Sequence, residues 1–257
     1  MRKIAAVPSM LTLGNLLCGF HAVYFAAKGA QQSGALAAQA LDLAAWMVLL
    51  AMVFDSVDGL AARLTRVSSR FGAELDSLAD VVSFGVAPAF LVAVLSAHAE
   101  LAHQRLVWMS CMVYVVCAAL RLARFNVQTG LDEESHRTFS GLPSPAAAGL
   151  VVSLIILHHH LQVEVGTVIV ARLLPTVTFF AGALMVSRVP YPHLMSRFVR
   201  RHHTFAEFAF LAIVVVLAVA QPEPTFAVGF TLYSLTGVVL AVRQAVLRRG
   251  EEQEPLF

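Results

Sequence analysis

Charge is scarce in this chain: Asp, Glu, Lys and Arg make up 13% of its 257 residues, against 58% hydrophobic residues and a mean hydropathy of +0.75. Soluble globular domains carry about 25% charged residues, so a water-soluble fold is excluded and a polytopic membrane protein is the first reading. Cysteine is scarce too. Cys18, Cys111 and Cys117 lie inside apolar stretches without metal-ligand spacing, which excludes a disulfide framework and a zinc site and leaves them as packing residues. A cleavable signal peptide is not expected, because Met1, Arg2 and Lys3 run into an apolar stretch that holds Pro8 and Asn15 and offers no small-residue cleavage site.

What the chain has instead is long apolar runs. Stretches of about 17 to 25 residues, enough to cross about 30 Å of hydrocarbon as helix, fall near 8–27, 38–63, 74–97, 102–124, 144–162, 166–186, 204–220 and 225–246. The fold class expected is therefore all-α, a polytopic integral membrane helical bundle of about eight transmembrane helices. His158, His159 and His160 crowd the end of the fifth span, and the seventh is short and stops before Pro222.

Eight spans put Arg2, Lys3, Arg63, Arg66, Arg70, Arg121, Arg124, Arg137, Arg188, Arg197, Arg200, Arg201, Arg243, Arg248 and Arg249 on one side of the membrane. Only Lys28, Arg105 and Arg172 fall on the other. The positive-inside rule makes the first side cytoplasmic, so both termini and the loop between the second and third spans are expected in the cytoplasm. The net charge of +2 hides this asymmetry.

Against that background four aspartates stand out. Asp55 and Asp58 lie three apart near the cytoplasmic end of the second span, and Asp76 and Asp80 four apart at the start of the third, so each pair shares a helix face. A short loop makes the two helices antiparallel neighbours with all four carboxylates at one level. Charged groups at membrane depth cost several kcal/mol and mark functional sites. Four like charges there repel or take up protons unless a cation sits among them. Magnesium takes oxygen ligands, typically one or two carboxylates together with substrate phosphates, so the cluster points to a diphosphate substrate. Gly59 and Gly72 let a ligand approach the backbone, and Arg63 offers a forked cation to phosphate. From the carboxylates alone a proton or cation pathway in an ion-coupled transporter, or simple helix capping, stays open.

The spacing D-x2-D-G-x2-A-R-x8-G-x3-D-x3-D is met at Asp55, Asp58, Gly59, Ala62, Arg63, Gly72, Asp76 and Asp80. It resembles the signature of the CDP-alcohol phosphotransferases at every specified position. The resemblance implies that Asp55, Asp58 and Asp76 hold magnesium or manganese, two ions, against the diphosphate of a CDP-linked lipid. It also implies that Asp80 is the general base and a further ligand, with Gly59, Ala62, Arg63 and Gly72 at the CDP-lipid. A positioned carboxylate base contributes about 10²–10⁴-fold.

Pro8 to Phe20, PSMLTLGNLLCGF, resembles the first span of the phosphatidylserine synthase subgroup, which implies Thr12 and Asn15 near the nucleotide. RLARFNV (Arg121–Val127) and FSGLPSPAAAG (Phe139–Gly149) resemble the same subgroup. That resemblance implies CDP-diacylglycerol and L-serine as substrates and a serine site drawn from Arg121, Arg124, Asn126, Gly141 and Pro143. Arg121 and Arg124 share one helix face and suit a small carboxylate. The bland alternative for them is positive-inside anchoring, and for the Gly141–Pro145 segment a turn back into the membrane. Glycerol 3-phosphate or inositol phosphate demands a denser positive pocket; these and choline are the rival acceptors.

The resemblance covers residues 8–150 and also implies a homodimer, with the active site facing the cytoplasm from the cytoplasmic (inner) membrane. The organisation expected is a catalytic six-helix membrane core over 1–186, a basic cytoplasmic loop over 187–203, two further C-terminal transmembrane helices over 204–247 and a disordered tail over 248–257. The basic loop, with Arg197, Arg200, Arg201, His202 and His203, reads as a contact for membrane lipid, and no nucleic acid is expected. The histidine run reads as an interfacial polar cluster.

Overall fold

The computed structural model describes residues 6–65, 70–99, 103–129, 141–166, 168–189, 191 and 205–251, with no strand among them. In chain order the helices are α1 (Ala6–Ala30), α2 (Gly34–Thr65), α3 (Arg70–Asp80), a π-helical segment (Val81–Val86), α4 (Ala87–His98), α5 (Gln104–Thr129), α6 (Ser144–Val165), α7 (Ile169–Val186), α8 (Phe205–Ala220) and α9 (Pro222–Glu251). The segments from Arg70 to His98 run on as one rod.

Among the described residues seven helices are long and apolar enough to cross a membrane: α1, α2, the α3–α4 rod, α5, α6, α7 and α9. The protein is a multi-pass integral membrane protein. The expected seventh span is α8, of 16 residues, or about 24 Å of helix, less than the hydrocarbon thickness; Pro222 lacks the N–H needed to carry the helix on. At the other end α9 continues to Glu251, four residues past the boundary expected at 247, because Arg248 and Arg249 are good helix formers. The loop expected over 187–203 is described only at its start, and residues 252–257 of the tail lie outside the described residues.

The bundle closes through small side chains. Ala22 and Ala26 of α1 and Ala40, Ala44, Ala45 and Ala51 of α2 are buried, so the two helices pack along their length after a tight turn at Gln31–Ser33. Helices α2 and α3 bring their aspartates together, as expected, but their backbones make little direct contact. Their common neighbour is α1, which packs on α2, on α3 and on the π-helical segment. A Cβ at Gly19 would lie 2.2 Å from Ser83 Oγ, so only glycine lets α1 come this close to that segment.

Pro88 explains part of the π-helical geometry. It has no N–H to give to the carbonyl of Phe84 four residues back, and that carbonyl instead accepts the Tyr114 hydroxyl of α5 at 2.9 Å. Phe84 and Tyr114 are both fully buried, where an unpaired carbonyl is costly. Widened turns of this kind are rare and recur at functional sites; here the segment begins directly after Asp80.

Candidate active site

The aspartates gather at the end of the bundle formed by the start of α1, the end of α2 and α3. One carboxylate oxygen from each of Asp55, Asp76 and Asp80 lies within 4.8 Å of the other two. Asp55 and Asp58 come from α2, and Asp76 and Asp80 from α3, and both helices pack on α1. Asp58 stands beside the triangle, its charge felt by all three.

Helix α1 holds the two sides in place. Thr12 Oγ1 donates to Asp58 Oδ2 at 3.0 Å, and Asn15 Nδ2 donates to Asp80 Oδ1 at 3.1 Å. Thr12, Asn15, Asp58 and Asp80 are all buried. The Asn15 carbonyl in turn accepts Ser83 Oγ at 3.0 Å. Thr12 and Asn15, expected near a nucleotide, are thus placed against the carboxylates themselves.

The donor set fits a divalent metal. Asp76 Oδ1 and Asn15 Oδ1 are buried acceptors without a hydrogen-bond partner, and buried acceptors are normally satisfied. Three converging carboxylates plus these free lone pairs call for a hard cation with oxygen ligands. Gly59 adds room: a Cβ built there meets nothing within 4 Å. Gly72 lies in α3, one turn before Asp76. Ala62 and Arg63 belong to the last turns of α2, and their side chains fall outside the described residues.

The expected serine-site residues separate. Arg121 of α5 is partly buried, donates from Nη1 to Ser144 Oγ at 2.6 Å and lies within electrostatic reach of Asp80. Its Nε is buried and has no partner. Arg124 is exposed. Asn126 Nδ2 donates to Ser77 Oγ at 2.9 Å, which ties the end of α5 to the residue after Asp76. Gly141 sits with φ +94° and its would-be Cβ 2.3 Å from the Met185 carbonyl, a position only glycine fills. Its N–H bonds to Val189 O at 2.8 Å, and Pro143 caps α6. Gly141 and Pro143 therefore fix the start of α6, which presents Ser144 to Arg121.

Several residues here were not singled out from the sequence. Ser83, Ser77 and Ser144 each bond a site residue, and a hydroxyl within an otherwise apolar span is the signal that pointed to them. His158 and His159 are buried within the bundle near the end of α6, and His159 Nδ1 lies 2.6 Å from Asp42 Oδ1 between α6 and α2, because a buried imidazole needs a partner. Asp42 precedes Asp55 by about 20 Å of helix, so this pair is remote from the triangle.

A multi-pass membrane protein with an acidic centre suited to a divalent metal at one end of its bundle is the class that fold and site define. Residues 5–189 match the family model of the CDP-alcohol phosphatidyltransferases, and the chain belongs to that family. It is 30% identical over 234 residues, 90% of this chain and 89% of the relative, to a CDP-diacylglycerol–serine O-phosphatidyltransferase of Helicobacter pylori. To the enzyme of that name from Methanocaldococcus jannaschii it is 32% identical over 95% of this chain and 98% of the relative. An archaetidylserine synthase of Methanothermobacter thermautotrophicus is 32% identical over 74% of this chain and 70% of its own.

Proposed function

We propose that the protein transfers the phosphatidyl group of CDP-diacylglycerol to the hydroxyl of L-serine, giving phosphatidylserine and CMP. The observation that carries this reading is the Asp55–Asp76–Asp80 triangle within electrostatic reach of Arg121, inside a chain whose relatives of that name align over nine-tenths of its length. The serine oxygen forms a bond to the phosphorus next to diacylglycerol, the bond from that phosphorus to the CMP oxygen breaks, and the hydroxyl proton passes to a carboxylate.

In this reading Asp80 takes that proton. The Asn15 amide on Asp80 Oδ1 fixes the orientation of the carboxylate and leaves Oδ2 to face the acceptor. Asp55, Asp58, Asp76 and Asp80 hold magnesium or manganese, two ions. When bound, these ions neutralise the diphosphate and stabilise the departing CMP. Gly59 and Gly72 let the diphosphate approach, and Arg63 with Ala62 lines its path. Arg121 receives the serine carboxylate, with Arg124 nearer the water. Burial in the bundle end keeps the lipid tails in hydrocarbon while the head group meets the carboxylates.

The excess of Lys and Arg on the aspartate side supports a site on the cytoplasmic face of the cytoplasmic membrane. Two copies form the working unit, residues 1–186 being the catalytic core.

The test uses purified protein in detergent with CDP-diacylglycerol and magnesium, offering serine, glycerol 3-phosphate, inositol phosphate and choline in turn and following CMP release with and without a chelator. Release with serine alone, abolished by the chelator, is the expected result. Release with another alcohol moves the acceptor, and no release with any alcohol turns the reading toward an ion-coupled transporter.

A further inference from the structure

The family match ends at residue 189, while the relatives named for serine transfer align over 90% and 95% of this chain, which requires part of the region beyond that point. Helix α9 lies wholly in that region. It packs on α6, with the Phe230 ring against Gly149, where a Cβ would lie 2.4 Å from the ring. Tyr191, buried, donates its hydroxyl to the Ser234 carbonyl of α9 at 3.0 Å, and its ring lies over Gly237, where a Cβ would stand 2.2 Å away. Tyr191 and Tyr233 have ring centroids 5.8 Å apart. On the other side, the backbone N–H groups of Gly141 and Leu142 bond to Val189 and Leu184. The segment after α7 thus clamps the start of α6, whose Ser144 holds Arg121, to α9.

Arg121 is built to receive something. One guanidinium nitrogen is held by Ser144 at 2.6 Å, whereas its Nε is buried with no partner. Tyr233 stands one turn beyond Phe230 on α9, beside Tyr191 and toward the start of α6 that carries Ser144, and the guanidinium lies within electrostatic reach of its hydroxyl and of Asp80. A buried cation with an unused donor, flanked by a phenol, suits a small carboxylate.

We infer that α9 forms one wall of the acceptor pocket and that Tyr233 is a specificity-determining residue, its hydroxyl joining Arg121 in binding the carboxylate of the incoming amino alcohol. This rests on serine being the acceptor, as proposed above. The two C-terminal helices then supply acceptor choice to a core that handles the CDP-lipid.

Steady-state kinetics of the full-length protein with CDP-diacylglycerol and serine test the assignment. Tyr233→Phe keeps the ring and removes one hydrogen bond to a charged group. Its KM for serine is expected to rise about tenfold, with kcat and the KM for CDP-diacylglycerol within about twofold of wild type. In Arg121→Lys the serine KM also rises, and the double variant is expected to lose less than the product of the single losses, as residues sharing one ligand do. An unchanged serine KM in Tyr233→Phe, equal rises for both substrates, or strict multiplication in the double variant overturns the role of Tyr233. Wild-type protein without any serine-dependent CMP release instead refutes the underlying function.

Discussion

Replacing Asp80 by asparagine exchanges one carboxylate oxygen for an amide NH2 at almost constant shape. The fold tolerates it: the new side-chain carbonyl still accepts the Asn15 amide that now reaches Asp80 Oδ1 at 3.1 Å, and the site is 8% exposed either way. What is lost is proton affinity. A positioned general base contributes about 10²–10⁴-fold, or about 2.7–5.4 kcal/mol in the barrier at 1.36 kcal/mol per tenfold, so kcat for CMP release is expected to fall by at least two orders of magnitude. Binding of CDP-diacylglycerol largely survives, because Asp55, Asp58 and Asp76 remain. A second sign is opposite in direction: with a chelator present, Asp80→Asn removes one of three converging carboxylates and with it a cost in repulsion or proton uptake, so the thermal midpoint of the metal-free protein rises. Radiolabelled CMP release, CDP-lipid binding and thermal unfolding in detergent make the three measurements. Wild-type kcat in the variant removes Asp80 as the base, and equal losses in binding and kcat reduce it to a metal ligand.

Two further substitutions separate the site from its scaffold. Thr12→Val conserves volume but leaves buried Asp58 without the donor it has at 3.0 Å; half-maximal activation by magnesium is expected to need about tenfold more metal, read from metal titrations of activity. Tyr114→Phe orphans the Phe84 carbonyl beside Pro88 and costs about 1–3 kcal/mol of stability, seen as a lower thermal midpoint with unchanged KM for both substrates.

The carboxylate centre was legible in the sequence because its members lie at helical spacings, which fix their faces before any tertiary contact is known. The same holds for most spans, since hydrophobic length is a local property. What periodicity could not supply was the neighbour of each helix. Asp55 and Asp76 are partners across a short loop, as their spacing suggests, but what braces the two sides is α1, joined to Asp58 and Asp80 by bonds spanning 46 and 65 residues. Pro88 showed in the sequence that Phe84 would lose its helical donor; that Tyr114 replaces it depends on how α5 packs. Tyr233 carried no signal at all, because its place near the site depends on how α9 packs on α6 and Tyr191.

Helix α1 is therefore the element that sets the width of the metal site. Thr12 and Asn15, three apart on one face, each take one side: the first holds α2 through Asp58 and the second holds α3 through Asp80. Gly14 and Gly19 determine how deep the helix sits, the one under the Phe54 ring and the other against Ser83. Carboxylates that repel one another would drift apart on two helices with little backbone contact between them. Bridged through α1, they stay within 4.8 Å, so the repulsion is kept for a divalent ion to relieve. That is why the least charged of the helices at the site, with neither acid nor base among its side chains from Ser9 to Gly19, governs its electrostatics.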